Sequence, residues 1–102
     1  MEQQKIRTDL ESYVALAKER FPGADGGSIP LNIGEFGAAS PSDNKCPDIS
    51  NEQRGKYVAT ITRAAEDLGM SWHVWGMAGV NFDIYDKTTD TWIPEMLKGL
   101  IP

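Results

Sequence analysis

Only two stretches of this chain read as buried strands, and each follows an amphipathic helix. That alternation limits the fold more than any other feature of the sequence. Residues 5–21 set Ile6, Leu10, Tyr13, Val14, Ala17 and Phe21 at helical spacing, and Pro22-Gly23 ends the run. Residues 24–28 are small and polar, a loop. Residues 29–36 form a short apolar run with β-branched side chains, bounded by Pro30, and read as a buried strand. Residues 37–50 are rich in Ser, Pro, Asp, Asn and Gly, a long loop. Ser50 and Gln53 then have the spacing of a capping box. Beyond them Tyr57, Val58, Ile61, Ala64, Ala65 and Leu68 line one helical face, and Gly69 suits the C′ position. Residues 70–75 form the second strand. Residues 81–85 and 91–93 flank Asp86-Lys87-Thr88-Thr89-Asp90 as a hairpin. Pro94 can open a last helix that turns Met96, Leu97, Leu100 and Ile101 inward.

Strands alternating with amphipathic helices predict parallel βα units. Two parallel strands do not complete a domain, because each leaves an open edge and a large apolar face. The expectation is therefore an unfinished α/β unit, completed by more chain or by another subunit. With 40% hydrophobic and 25% charged residues, wholesale disorder is not expected of the 102 residues. A net charge of −5 without a basic cluster argues against nucleic acid and against anionic membrane surfaces as partners. No apolar run approaches the ~20 residues of a membrane span. Met1-Glu2-Gln3-Gln4-Lys5 has no apolar core, so no signal peptide is expected in this chain; a secretion signal for a parent protein would lie outside it, and the compartment stays open. The single cysteine, Cys46, cannot form an internal disulfide or build a zinc site alone, and neither a metal nor a cofactor is expected.

The segment that carries chemistry is Ile33-Gly34-Glu35-Phe36-Gly37, a carboxylate between two glycines at the end of an apolar strand. By alternation Leu31, Ile33 and Glu35 share one face. Barrels of βα units place function at the carboxyl ends of their strands. If that face is a barrel interior, Glu35 is its uppermost residue, bordered by the loop after Gly37. A surface carboxylate at a strand end has the same spacing, which by itself does not choose between the two.

Three motifs in order do choose. Pro30-Leu31-Asn32-Ile33-Gly34-Glu35-Phe36-Gly37 resembles the seventh-strand motif of glycoside hydrolase family 5, the large cellulase family. Ser71-Trp72-His73-Val74-Trp75 resembles its eighth strand, and Phe82-Asp83-Ile84-Tyr85-Asp86 followed by Trp92 resembles the loop beyond it. Residues 95–101 match the closing helix. The match runs from about Leu10 to the C-terminus, with one departure, Asp83 where the family usually has Gly, which bears on the hairpin rather than on the chemistry.

The resemblance implies a fold and a reaction. The fold is α/β, the C-terminal portion of a (β/α)8 TIM barrel: helix 6, strand 7, helix 7, strand 8 and helix 8, an incomplete barrel. Residues 1–102 would be a partial catalytic domain, since a full barrel needs about 250 residues. The family hydrolyses β-linked polysaccharide with retention, using two glutamates. Glu35 matches the nucleophile. Trp75 matches the eighth-strand tryptophan that stacks on sugar, as a flat indole can on a face of C–H groups. The acid/base of an Asn-Glu-Pro motif is not here, for Asn51-Glu52 is followed by Gln53 at a helix start. The implied partners are a β-glucan or related polysaccharide and the missing N-terminal barrel portion. The isolated chain is expected to be inactive. A mannanase or exo-glucosidase, a non-catalytic α/β module that binds carbohydrate or protein, and a small oligomer that completes its own sheet are the alternatives.

Other residues carry plainer expectations. Trp75 shares parity with Ser71 and His73, so it should face inward and Trp72 outward against the helices. Core filling is the competing role for Trp75. His73 is expected to be an interior-layer residue. Tyr85 and Trp92 are expected to pack the hairpin rather than bind sugar. Cys46 is a loop thiol, and Asp43 and Asp48 are turn residues. Asp83, Asp86 and Asp90 lack EF-hand spacing and read as turn formers rather than calcium ligands.

Overall fold

The computed structural model describes residues 3–23, 29–39, 49–78 and 82–102. Chain order is α1 (Gln3–Arg20), β1 (Asn32–Phe36), α2 (Asn51–Asp67), β2 (Ser71–Val74), β3 (Tyr85–Asp86), β4 (Thr91–Trp92) and α3 (Pro94–Leu100). The expectations for Asp43, Cys46 and Asp48 lie outside the described residues.

Both ends of α2 are written locally. The Ser50 hydroxyl accepts from the Gln53 amide at 3.1 Å, and the Gln53 side-chain oxygen accepts from the Ser50 amide at 2.9 Å, the reciprocal capping box. At the other end Gly69 takes φ 74°, which a side chain would resist. The Gly69 amide donates to the Glu66 carbonyl at 3.0 Å and the Met70 amide to the Ala65 carbonyl at 2.8 Å, so the exposed carbonyls of the last turn are satisfied. The chain then runs straight into β2.

β1 and β2 pair in parallel, with Asn32 opposite Ser71, Ile33 opposite Trp72 and Phe36 opposite Val74. Among the described residues, the buried cluster lies on one side of this sheet. Val58, Met96, Leu100 and Ala38 form the core, with Phe36, Tyr57, Trp72, Val74, Ile84 and Ile93 packed on it. The Trp72 and Phe36 rings meet edge to face at 5.9 Å, and the Trp72 indole nitrogen donates to the Glu66 carboxylate. Ser71, His73 and Trp75 on the opposite side are exposed. The parity assigned to the two tryptophans therefore holds.

α3 lies on α2 through two glycines. A β-carbon on Gly99 would come within 2.5 Å of the Gly55 carbonyl oxygen, and one on Gly55 within 2.5 Å of the Glu95 carbonyl oxygen. The close approach buries Met96, Gly99 and Leu100. Arg63 donates to the Leu100 carbonyl at 3.0 Å, tying down the end of α3, while the nearest acceptor of the Thr62 hydroxyl is the Val58 carbonyl at 2.9 Å, with the Gly99 carbonyl at 3.3 Å. Leu97 and Ile101, expected inward, are 38% and 69% exposed. Positions 96, 99 and 100 form one stripe of the helix, while Leu97 stands about 100° around from Met96, and Ile101 follows the last turn.

α1 is the least integrated element. None of its residues is fully buried, and Tyr13, Leu16 and Phe21 are exposed. Its Arg7 reaches the Asp67 carboxylate at 2.9 Å, an exposed pair of small energetic weight. An apolar groove of about 460 Å³ remains between α1, β1 and α2, lined by Ile6, Leu10, Tyr13, Leu31, Ile33 and Tyr57 among others. The radius of gyration is 15.4 Å, against about 13 Å for a compact domain of 100 residues. A chain this open should unfold in parts. In hydrogen exchange, α2 amides are expected to be protected longest, with α1 and both strands of the parallel sheet exchanging broadly and fast. Strand protection equal to that of α2 would show a closed core instead.

Candidate active site

The site is assembled at the carboxyl ends of β1 and β2. Between Ile33 and Phe36 the register shifts: two residues of β1, Gly34 and Glu35, stand against the single His73 of β2. An extra residue of this kind turns the following side chains over. It has a direct consequence for Glu35. Ile33 pairs with Trp72 on the helix side, and Leu31 and Ile33 line the groove against α1. The expectation that Leu31, Ile33 and Glu35 share one face is thus corrected. Glu35 is exposed, as are Gly34, His73 and Asn32, while Phe36 returns to the core side. Beneath Glu35, Ser71 and Asn32 are joined across the strands by a 2.9 Å hydrogen bond. Trp75 follows directly on β2 and is 48% exposed, which removes core filling as its role in this chain.

The two strand ends are locked to each other. The Trp75 amide donates to the Phe36 carbonyl at 2.6 Å. A β-carbon on Gly37 would fall 2.2 Å from the Trp75 carbonyl oxygen and 3.2 Å from the Phe82 ring, so only glycine allows the two backbones to meet here. The Trp75–Gly76 peptide bond is cis. From Met77 the chain enters the hairpin, whose Ile84 and Tyr85 amides both donate to the Met77 carbonyl. Tyr85 and Trp92 pack edge to face at 5.3 Å, and the Tyr85 hydroxyl donates to the Asp90 carboxylate. The Asp86 carboxylate accepts from the Thr88 amide at 2.8 Å, and Asp90 takes a positive φ of 56°, so both shape the turn as expected.

That hydrogen bond to Asp90, with a smaller contribution from burial, raises the Tyr85 phenol above its ordinary value of 10.0. A phenol whose folded-state pKa is raised stabilises the hairpin fully below the unfolded value and loses that contribution as pH rises through the folded one. Titration followed by phenolate absorbance should therefore show a late-ionising phase. Replacing Tyr85 with Phe should remove that phase; its persistence in the variant would assign it elsewhere.

One residue passed over in the sequence organises the whole rim. Arg54, in the first turns of α2, is only 1% exposed. Its Nε and Nη2 both donate to the Ala38 carbonyl at 3.2 Å, Nη2 also donates to the Asp83 carbonyl, and Nη1 donates to Asn51 Oδ1 at 2.9 Å. Burial lowers its pKa, and the nearby Asp83 charge opposes that shift. The signal was available. Arg54 stands three and four residues before Tyr57 and Val58, on the stripe that faces the core, where a cation needs a partner. A cavity of about 570 Å³ lined by Gly37, Ala38, Gln53, Arg54 and Tyr57 lies beside this clamp; neither Glu35 nor Trp75 lines it.

Among solved structures, an endoglucanase matches 99% of this chain at 25% identity and a TM-score of 0.75. A hyperthermophilic endo-β-1,4-glucanase solved with substrate matches 97% at 31% identity and a TM-score of 0.70. Cel5A of Thermotoga maritima, in complex with a mannotriose substrate, matches 98% at 25% identity and a TM-score of 0.73. The chain spans 27–28% of the length of these three. No family model matches the chain, and no curated protein sequence is significantly similar to it. The fold is that of an incomplete α/β barrel, with one parallel strand pair and helices on one side. Over almost its whole length this chain is similar in structure to part of those enzymes, and the likeness supports a C-terminal fragment of a glycoside hydrolase family 5 endoglucanase.

Proposed function

We propose that this chain supplies the nucleophile half of a retaining glycoside hydrolase acting on β-linked polysaccharide, a β-1,4-glucan first. The observation that carries this reading is the pairing of Glu35 with Trp75. Both are exposed at the carboxyl ends of adjacent parallel strands, away from the helix-covered side. In this reading α1 is helix 6 of the barrel, β1 strand 7, α2 helix 7, β2 strand 8 and α3 helix 8. Residues 1–102 are then part of a catalytic domain.

The chemistry follows from the two side chains. Glu35 attacks the anomeric carbon and forms a glycosyl-enzyme ester, which water then hydrolyses from the same face the leaving group left. Trp75 offers the sugar ring an apolar platform beside the carboxylate. The general acid must stand about 5–5.5 Å from Glu35 in a retaining enzyme, and the rest of the barrel has to bring it. Alone, the chain should not hydrolyse glycosides efficiently.

The test is completion. Joined to the complementary portion of Cel5A, the chain is expected to release reducing ends from a soluble β-glucan, whereas the isolated chain is not. A folded, complete barrel without activity on any β-linked polysaccharide would overturn the proposal. A mannan reading has one specific support, the mannotriose in the Cel5A complex. Comparing β-mannan with β-1,4-glucan in the same assay decides between them.

A further inference from the structure

We propose that Arg54 is a positioning residue, which sets where Glu35 and Trp75 stand relative to a bound sugar by holding the loops that leave β1 and β2. This rests on the roles proposed for those two side chains. The geometry behind it is independent of them.

Arg54 grips both loops from behind. Ala38 is three residues beyond Glu35, and its carbonyl takes two of the guanidinium N–H donors. Asp83 lies on the segment that follows Trp75, and its carbonyl takes another. Asn51, at the start of α2, holds Nη1, so the fork is anchored on the same helix that carries it. Four of the five N–H groups of an arginine are used in this way. A buried cation is costly unless its donors are matched, and most of the matches here are carbonyls of loop residues. The planar fork presents its donors to two carbonyls in a fixed geometry, whereas the ammonium of lysine is a point charge without that fork. The direct contacts between the strand ends, Trp75 amide to Phe36 carbonyl and Gly37 against the Trp75 carbonyl, make the two loops move together. Loss of the clamp should therefore displace the carboxylate and the indole relative to a bound sugar.

The experiment has two arms. In the first, the 102-residue chain is compared with its Arg54→Ala and Arg54→Lys variants by amide NMR. Signals of Ala39 and Ile84 and the Trp75 indole are expected to shift and broaden, while those of residues in the second half of α2 stay. In the second arm the same variants are made in the completed barrel. A misplacement on the order of 1 Å costs about 10²-fold in rate, so kcat/KM is expected to fall by about that factor in Arg54→Ala. Millimolar guanidinium should restore much of it by refilling the vacated site, with the lysine variant falling between. Rescue by a denaturant is not what a merely destabilised fold would give. Activity retained in a folded Arg54→Ala barrel overturns the proposal, as does a loss that guanidinium leaves unchanged. If the barrel is inactive even with Arg54 present, the hydrolase reading fails, and the first arm alone decides the clamp: unmoved loop signals overturn it. If Arg54→Ala does not fold, Arg54→Lys carries both comparisons.

Discussion

Replacing Glu35 with Gln in the completed barrel is expected to lower hydrolysis of a soluble β-glucan by orders of magnitude while sugar binding persists. The amide keeps the shape and the hydrogen bonding of the carboxylate but is no longer a nucleophile. Its position makes this a clean change: Glu35 is exposed on the uncovered side of the sheet, in the two-residue step opposite His73, so the fold does not depend on its side chain. Replacing Glu35 with Gly should open space for an external anion. Azide can then attack an activated aryl β-glycoside from the vacated side and yield the α-glycosyl azide, with inversion at the anomeric carbon. A β-linked azide would mean that the missing carboxylate acted as a base from the other face, and a Gln variant with wild-type turnover would remove Glu35 from the mechanism altogether.

The second large effect concerns stability. Gly99→Ala should detach α3 from α2, since the new β-carbon would lie 2.5 Å from the Gly55 carbonyl oxygen and 2.8 Å from a Val58 methyl. Both obstacles are fully packed, one of them backbone, so the helix has to move outward. The hydrogen bond from Arg63 to the Leu100 carbonyl stretches with it. Overpacking of this kind costs about 1–3 kcal/mol. Among the described residues the buried hydrophobics are only Ala38, Val58, Ile61, Ala64, Ala65, Met96 and Leu100, so that is a large part of the total. Gly55→Ala should behave the same way, because it meets the Glu95 carbonyl at 2.5 Å. Gly34→Ala is the contrast: nothing stands within 4 Å of its β-carbon position, and its urea midpoint should stay near wild type. Equal midpoints for Gly34→Ala and Gly99→Ala would show that α3 is not held by close backbone approach.

The groove between α1, β1 and α2 and the bare side of the sheet are two expressions of one fact. The chain spans about a quarter of the length of its structural relatives, and a barrel strand has neighbours on both edges and packing on both faces. Exposed Tyr13, Trp75 and Met77 are therefore what a barrel segment should display. The same exposure makes the isolated chain prone to associate, which is why assays of function belong in the completed barrel.

Much of this protein was legible from consecutive residues. The capping box at Ser50, the positive-φ glycine at 69, the two strands and the Asp86 turn are each set by hydrogen bonds or backbone preferences within a few positions. The faces of Trp72 and Trp75 followed from the unbroken alternation of β2. For Glu35 the same rule required Leu31 and Ile33 on its face, and there it failed. Leu31 and Ile33 face the helices, and only the register shift before Phe36 carries Glu35 to the other side. A register shift belongs to a pair of strands, not to one, so no single strand's pattern contains it. Arg54 shows the same division at longer range. Its place on the core-facing stripe and its neighbour Asn51 are written in the sequence, but its loop partners are Ala38 and Asp83, 16 and 29 residues away. What the sequence determined was every feature closed by neighbours along the chain. The tertiary structure decided which face Glu35 meets and which loops Arg54 holds, because those depend on carbonyls and strand edges that meet only once the chain has folded.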